Sequence, residues 1–335
     1  MKPIIIICGL GIGILIGIFP SLTGKKPFWW KLLLTLFIAA TAAFALIPIT
    51  ASPPSYARFL AENNITEPVR IRFQFEDPLE FPQNSGTINF GGVMIETDKE
   101  LIKKIEGETD FILQLKYNKE QKAYTAIDAP IIDPLLTFPF IVQLQDRIKI
   151  MNFHVPSAWI AVLAYLVSMI YAVMYLYKKD YRHDVIAYSS AGLGLLFTIL
   201  ATVTGMIWAK YNWGTYWNWD PRQTSILVLM LIYGAYFALR NAISNYEQRA
   251  RLSSVYAILA FITVPFFIFI LPRITTGLHP GSADDISSGP VMGGGSMLDQ
   301  SMLLAFGLAL AAFTMLYFWM LNLKIRMEYI KNSLN

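Results

Sequence analysis

The chain predicts an all-α polytopic membrane protein, with six core transmembrane helices, an extra N-terminal helix and a small inserted α+β exterior domain. Three observations predict it. Of its 335 residues 55% are hydrophobic and only 15% charged, against roughly a quarter charged in an ordinary soluble domain. The apolar residues are gathered into blocks close to the ~20 residues that cross a ~30 Å hydrocarbon core at 1.5 Å rise per residue. Nearly all of the soluble composition is confined to one stretch, from about Tyr56 to Lys149.

Taken in order, Pro3–Phe19 is a shorter, glycine-rich apolar block. No small-residue cleavage site follows it and another block comes at once, which favours a spanning helix over a removable leader. Trp29–Ile49 is the next span, and Thr50-Ala-Ser-Pro-Pro-Ser55 a short rigid exit from it. In the soluble stretch Val69, Ile71, Phe73 and Phe75 alternate with Arg70, Arg72, Gln74 and Glu76, the period of a strand with one buried face. Thr87–Ile95, Phe111–Tyr117 and Ala123–Ile127 also read as strands. Asp98–Glu106 reads as a helix capped by Thr97 or Asp98, with Leu101, Ile102 and Ile105 inward and Gly107 closing it. Asn84–Gly86 and Asn118–Glu120 are turn candidates. The stretch holds no histidine, no cysteine and no acids at metal spacing, so a scaffold or docking module is expected. Pro130–Arg147 is apolar but broken by Pro134 and Pro139, and is expected at the outer interface.

The remaining spans are Val155–Tyr177, Val185–Trp208, Ser225–Leu239 with an extension to Ala242, Ser253–Leu271, and Met302–Leu321. Between the last two lies Pro272–Gln300, rich in glycine and serine around Met292-Gly-Gly-Gly-Ser296. A flexible gate or a partner-binding loop needs such a composition, and so does a loop with no role. The division is then 1–49 for two N-terminal helices, 50–150 for the inserted domain and interfacial segment, 151–324 for the membrane core, and 325–335 for a tail.

Basic residues in short loops set orientation. Lys25, Lys26 and Lys31 stand between the first two spans. Lys178, Lys179 and Arg182, then Arg240, Arg249 and Arg251, and finally Lys324, Arg326 and Lys331 fall on the same side. The opposite side has Lys210, Arg222 and Arg273. The basic side is cytoplasmic by this rule, which places His154, the segment 208–224 and His279 outside, and His183 inside. The net charge of +4 mixes both compartments, and the single Cys8 cannot form an internal disulfide or a CxxC redox pair.

Between Trp208 and Thr224 lie four of the eight tryptophans. Tryptophan also gathers at membrane interfaces simply because its ring is apolar with one polar edge. Here, however, Trp213, Trp217 and Trp219 are joined by Gly214, which lets a flat ligand approach, and run into Asp220-Pro221, which resists helix. Trp213 and Trp217, four apart, share a face if this segment is helical. Arg222 could pair with a propionate. Neutral imidazole is an axial ligand of haem iron, and His154 and His279 fall at the same membrane face. A lone exterior histidine is usually a solvated side chain; here two of only three stand in aromatic or proline-framed loops on one side.

Trp213-Gly-Thr-Tyr-Trp217-Asn-Trp219-Asp220-Pro-Arg222-Gln-Thr224 closely resembles the tryptophan-rich WGxxWxWD signature of the haem-handling proteins of cytochrome c maturation. Phe153-His154-Val-Pro156-Ser-Ala-Trp159 resembles the first-histidine motif of the CcmC branch, and Thr276-Gly-Leu-His279 its second-histidine loop. The resemblance covers about Arg147 to Met327 and the Trp29–Ile49 span. It implies a delivery component rather than an enzyme, one that holds haem b at the outer face of a bacterial plasma membrane. His154 and His279 would be its axial ligands, Trp213, Trp217, Trp219 and Asp220 its platform and chaperone contact, and Arg222 its propionate partner. Lys149 would take the basic position ahead of the first histidine. The implied partners are a periplasmic, CcmE-like haem chaperone, an ABC transporter with a small single-span subunit, apocytochrome c indirectly, and membrane lipid, with no nucleic acid. Pro3–Phe19 and Tyr56–Ile150 depart from the six-span pattern.

Three other readings stand beside it at this point. A CcsA-type subunit of a system-II cytochrome c synthase shares the tryptophan signature. A b-type electron carrier is disfavoured because no histidine is expected inside a span, and a secondary transporter because no span has a clear mid-membrane charge.

Overall fold

The structure is a computed structural model. It describes residues 2–47, 49–50, 68–74, 86–90, 93–118, 120, 123–127, 131–134, 137–139, 149–279, 281–283 and 300–334. The proline-rich exit, the turn at Asn84–Gly86 apart from Gly86, most of Pro130–Arg147 and the glycine run at 292–296 lie outside the described residues. The chain divides into two compact units, Met1–Ala45 with Arg147–Asn335, and Leu46–Asp146.

The first unit is helical: α1 (Lys2–Ile18), α2 (Phe28–Leu46), α4 (Met151–Lys178), α5 (Tyr181–Trp213), α6 (Pro221–Ala242), α7 (Tyr246–Pro265), α8 (Leu271–Ile274) and α9 (Gln300–Leu334), α3 belonging to the second unit. Five helices are long and apolar enough to cross a membrane: α4, α5, α6, α7 continued through α8, and α9; α1 and α2 are apolar but shorter. The breaks between them have local causes. Asp180 caps α5 by accepting the Arg182 N–H, and Asn245 caps α7 by accepting that of Gln248. Lys179 leaves α4 in the left-handed conformation.

The core of this unit brings Ile160 and Tyr165 of α4, Leu193 and Phe197 of α5, Leu229 and Tyr233 of α6, Val264 of α7, and Tyr317 and Leu321 of α9 together. Tyr165 stacks on Tyr233 and shares a hydrogen bond with Thr198. Ser190 Oγ likewise donates to the Ala164 carbonyl at 2.6 Å, the pairing an apolar surrounding favours, whereas the Tyr233 hydroxyl is buried with no partner among the described residues. At one end of the bundle Arg240 of α6 and Asp184 of α5 form a buried, two-pronged ion pair of 2.7 and 3.0 Å. Arg240 therefore sits within its helix and is bound, where the sequence placed it among loop charges.

Helix bounds also differ from the apolar blocks. α4 starts at Met151, four residues before the block at Val155, and α5 extends five residues beyond Trp208. Backbone hydrogen bonding carries a helix through polar residues that end a hydropathy run. As a result His154 lies in the first turn of a membrane-length helix and not in the loop ahead of it.

The second unit contains β1 (Ile49–Thr50), β2 (Val69–Gln74), β3 (Thr87–Phe90), β4 (Val93–Glu96), α3 (Lys99–Ile105), β5 (Asp110–Asn118), β6 (Ala123–Ala126), β7 (Ile131–Ile132) and β8 (Phe138–Pro139). Its main sheet has the order β2-β5-β6-β4-β3, with β7 also on β5; β1 and β8 form a separate parallel pair. The alternation read from residue 69 onward has the expected result: Val69 opposite Leu115, Ile71 opposite Leu113 and Phe73 opposite Phe111 bury one face. Thr87–Ile95 forms two strands rather than one, paired with Phe90 opposite Val93. The intervening Gly91-Gly92 is the two-residue signal for such a reversal. α3 is capped by Asp98, which accepts the Leu101 N–H, and turns Leu101, Ile102 and Ile105 inward.

Candidate functional site

The helical unit encloses a cavity with about 740 Å³ of free space, its open mouth included. His154 and Ala158 of α4 form one wall, and Ala201, Thr202, Gly205 and Met206 of α5 another. Arg222, Gln223, Ser225 and Ile226 enter from the first turns of α6, and Trp217 from the loop before it. Phe267, Ile268 and Pro272 close the far side, with His279 from the loop that follows. That far side is built on a break in the helix. Between Pro265 and Pro272 the chain makes a π-helical turn, Phe266–Ile270, in which Leu271 N–H reaches Phe266 O. Such turns frequently mark functional sites.

His154 is oriented by α5. Its Nδ1–H donates to the Ala201 carbonyl at 3.0 Å, with Thr204 Oγ1 at 3.1 Å. A carbonyl can only accept, so the proton is on Nδ1 and Nε2 keeps its lone pair. Gly205 makes room for the ring: a Cβ there would stand 2.9 Å from Cε1 of the imidazole.

His279 is oriented by a carboxylate. Its Nδ1–H donates to Asp220 Oδ1 at 2.7 Å, again leaving Nε2 free to bind a metal. Asp220 is buried, and it also receives the Arg222 N–H on Oδ1 at 2.9 Å and the Leu278 N–H on Oδ2 at 2.7 Å. Burial pushes the Asp220 carboxyl up, but the hydrogen bond and charge of His279 with the two N–H groups outweigh it and hold the group down at about 2. Trp213 packs against His279, edge to face at 4.6 Å between centroids.

The tryptophan segment is not one flat platform. α5 ends at Trp213, Gly214 turns left-handed at φ 81°, and residues 215–220 are not helical. Trp213 and Trp217 therefore do not share a helical face, because the glycine ends the helix between them. Trp213 packs on His279 and Trp217 lines the cavity. Trp219 is 70% exposed and stands perpendicular to Trp217 at 5.7 Å. Its φ of 56° is unusual for a bulky side chain. Asp220 lies behind His279 rather than on the cavity wall. Lys149 precedes α4 in a short 3-10 turn and is not a lining residue.

Sequence reasoning missed the residues that fix this segment. Gln223 closes the loop from inside: its Oε1 accepts the Asn218 N–H at 2.8 Å, and its Nε2 donates to the Tyr216 carbonyl. Lys210 Nζ donates to the Gly214 carbonyl, and Thr224 Oγ1 to that of Trp219. The signal was polar residues opening an otherwise apolar span. Gly277 was missed too; a Cβ there would meet Asp220 Oδ2 at 2.8 Å and Pro221 Cδ at 3.1 Å.

Chemically, the cavity offers two imidazole side chains whose Nδ1 atoms are engaged by the protein, an arginine and apolar walls. Ser225 Oγ, also in the wall, is buried with no partner among the described residues. Among the described residues no three His, Cys, Asp or Glu side chains are grouped as a metal ion would need. A metal held by the two histidines would need to bring its other ligands with it.

The family model described as heme exporter protein C matches residues 120–335 of the chain. Heme exporter protein C of Bradyrhizobium diazoefficiens is 35% identical over 175 residues, 52% of this chain and 64% of that protein. The protein of the same name from Haemophilus influenzae is 31% identical over 191 residues, 57% of this chain and 75% of its own length. That from Paracoccus denitrificans is 32% identical over 145 residues, 43% and 60% respectively. The chain thus spans less than two thirds of the first of these relatives.

Proposed function

Since the chain belongs to the heme exporter protein C (CcmC) family, we propose that it binds haem in the cavity between His154 and His279 and hands it to an acceptor protein during cytochrome c maturation. The observation that carries this reading is the pair of imidazoles on one cavity, each with Nδ1 engaged by protein and Nε2 left over. An iron porphyrin supplies four ligand nitrogens of its own and needs two more from protein. The cargo is haem b, carried without a covalent link. Trp217 and the apolar residues of the π turn offer flat contacts, and Arg222 a guanidinium for a propionate. Trp213 supports a ligand rather than the ring, and Trp219 is available to the acceptor.

In this reading the cavity faces the periplasm of a bacterial plasma membrane, since the loops on the opposite side carry most of the lysine and arginine. The acceptor is a CcmE-like chaperone, and an ABC transporter with a small single-span subunit completes the assembly. Apocytochrome c is reached only through the chaperone. The protein acts as a delivery component and makes no covalent bond itself. Residues 1–49 and 151–324 provide six core spans and an extra N-terminal one, 325–335 a tail, and 50–150 an exterior domain that docks the acceptor.

Purification of the full chain with haem tests this directly. The expected result is a spectrum of six-coordinate, bis-histidine haem. His154→Ala and His279→Ala should each lower the haem retained. A double histidine variant with the wild-type spectrum would overturn the site. Removing residues 50–150 should spare loading and abolish transfer.

A further inference from the structure

We infer that Asp220 is a positioning residue for His279, coupling the tryptophan segment to one iron ligand and making the two histidine ligands unequal. The inference rests on the proposed haem site and adds a regulator of its iron. Asp220 is not itself a lining residue of the cavity. Its Oδ1 takes the Nδ1 proton of His279 in a 2.7 Å hydrogen bond, while its Oδ2 takes the Leu278 N–H at 2.7 Å. The same Oδ1 accepts the Arg222 N–H and so starts α6. One carboxylate therefore ties the end of the tryptophan segment, the start of α6 and the histidine loop.

Both sides of this clasp are built for close approach. Gly277 leaves the space that a Cβ would take from Oδ2 and the Pro221 ring. Trp213 also packs on the imidazole, edge to face at 4.6 Å between centroids. A carboxylate behind a ligating histidine fixes the tautomer and ring angle and raises the basicity of the metal-binding nitrogen. Among the described residues His154 has no such partner. Its Nδ1–H goes to a neutral carbonyl and a hydroxyl. His279 is thus the stronger donor and His154 the weaker. The stronger donor stabilises ferric over ferrous iron, so the clasp lowers the reduction potential, an outer-shell lever on haem.

Asp220→Asn tests this cleanly because asparagine caps a helix about as well as aspartate. Its amide has one oxygen, so it can serve His279 or the Leu278 N–H but not both as acceptor. The measurements are haem affinity by titration and the reduction midpoint of the loaded protein. The expected result is an upward shift of the midpoint and a loss of affinity on the order of 10–100-fold. Gly277→Ala pushes on Oδ2 without replacing the carboxylate and should shift the midpoint in the same direction, which serves if the Asn variant fails to fold. Wild-type midpoint and affinity in both folded variants, or in Gly277→Ala alone if Asp220→Asn does not fold, with haem still lost in His279→Ala, would overturn the role of Asp220 and leave the haem site standing. Unchanged haem binding in both histidine variants would instead overturn the site.

Discussion

Gly205 on α5 lies directly against the imidazole of His154 on α4, so close that a methyl group at 205 would stand 2.9 Å from Cε1 and 3.4 Å from Nδ1. The neighbour that must yield is the ring itself. Gly205→Ala is thus a way to tilt one histidine without changing any polar group. Helix propensity gains about 0.5–1 kcal/mol from the change, while overpacking costs about 1–3 kcal/mol, so the gain offsets part of the cost in stability. Orientation has no such offset. The melting temperature should fall modestly, and haem affinity should fall by roughly tenfold or more; an alanine variant that binds haem as tightly as wild type would remove the steric argument.

The N-terminal helix offers an internal control. On α1 a Cβ at Gly9 would stand 2.5 Å from the Gly307 carbonyl oxygen of α9, and one at Gly13 would stand 2.6 Å from Thr314 Cβ, whereas Gly11 has nothing within 4 Å. Small residues spaced by four let helices approach closely where lipid gives no hydrophobic drive. Gly9→Val and Gly13→Val should therefore separate α1 from α9 and lower the melting temperature in detergent. Gly11→Val should not. Equal effects at all three positions would mean that propensity, and not packing, decides.

What could be read from the sequence divides along physical lines. Strand alternation from Val69 and the capped helix at Asp98 follow from period and local hydrogen bonding, and the structure has both. The two histidines and the tryptophan segment were visible because polar residues stand out against apolar spans. Three-dimensional contacts were not visible. Nothing in the spacing of Asp220 and His279 says that they touch across 59 positions, or that Gly214 breaks the helix between Trp213 and Trp217. Arg240 looked like an orientation signal because hydropathy ignores partners; Asp184, on another helix, occupies it.

That pair is a buried, two-pronged ion pair within the bundle. Arg240 and Asp184 are both buried, Tyr246 adds a hydrogen bond to Asp184 Oδ2 at 3.3 Å, and the guanidinium lies 4.6 Å from the Tyr188 ring. Removing one partner leaves an uncompensated charge, which costs about 3–5 kcal/mol, whereas replacing both by apolar residues is often neutral. Arg240→Met should lower stability by that amount, and Asp184→Leu with Arg240→Met should recover most of it. A double variant no better than the single one would show that the pair is held for its surroundings rather than for its charge.

Two adjacent lysines should behave oppositely. Lys25 is exposed, but Lys26 is buried and its Nζ donates to the carbonyls of Gly17 at 2.7 Å, Ile18 at 3.2 Å, Phe19 at 2.6 Å and Ser21 at 3.1 Å. These include carbonyls at the end of α1, which have no partner within the helix. The ammonium also lies 5.1 Å from the Trp30 ring. Asn322 of α9 holds the same corner through the Leu22 and Gly24 carbonyls. Hydrogen bonds to a charged group contribute about 1.5–3 kcal/mol, while an exposed substitution stays within about 0.5 kcal/mol. Lys26→Met keeps the apolar stem and discards the donor, so it isolates those bonds. Its melting temperature should drop clearly below that of Lys25→Met, which should match wild type. Both variants remove one basic charge from the same loop. Membrane orientation assayed on the two should therefore change equally, even as their stabilities part.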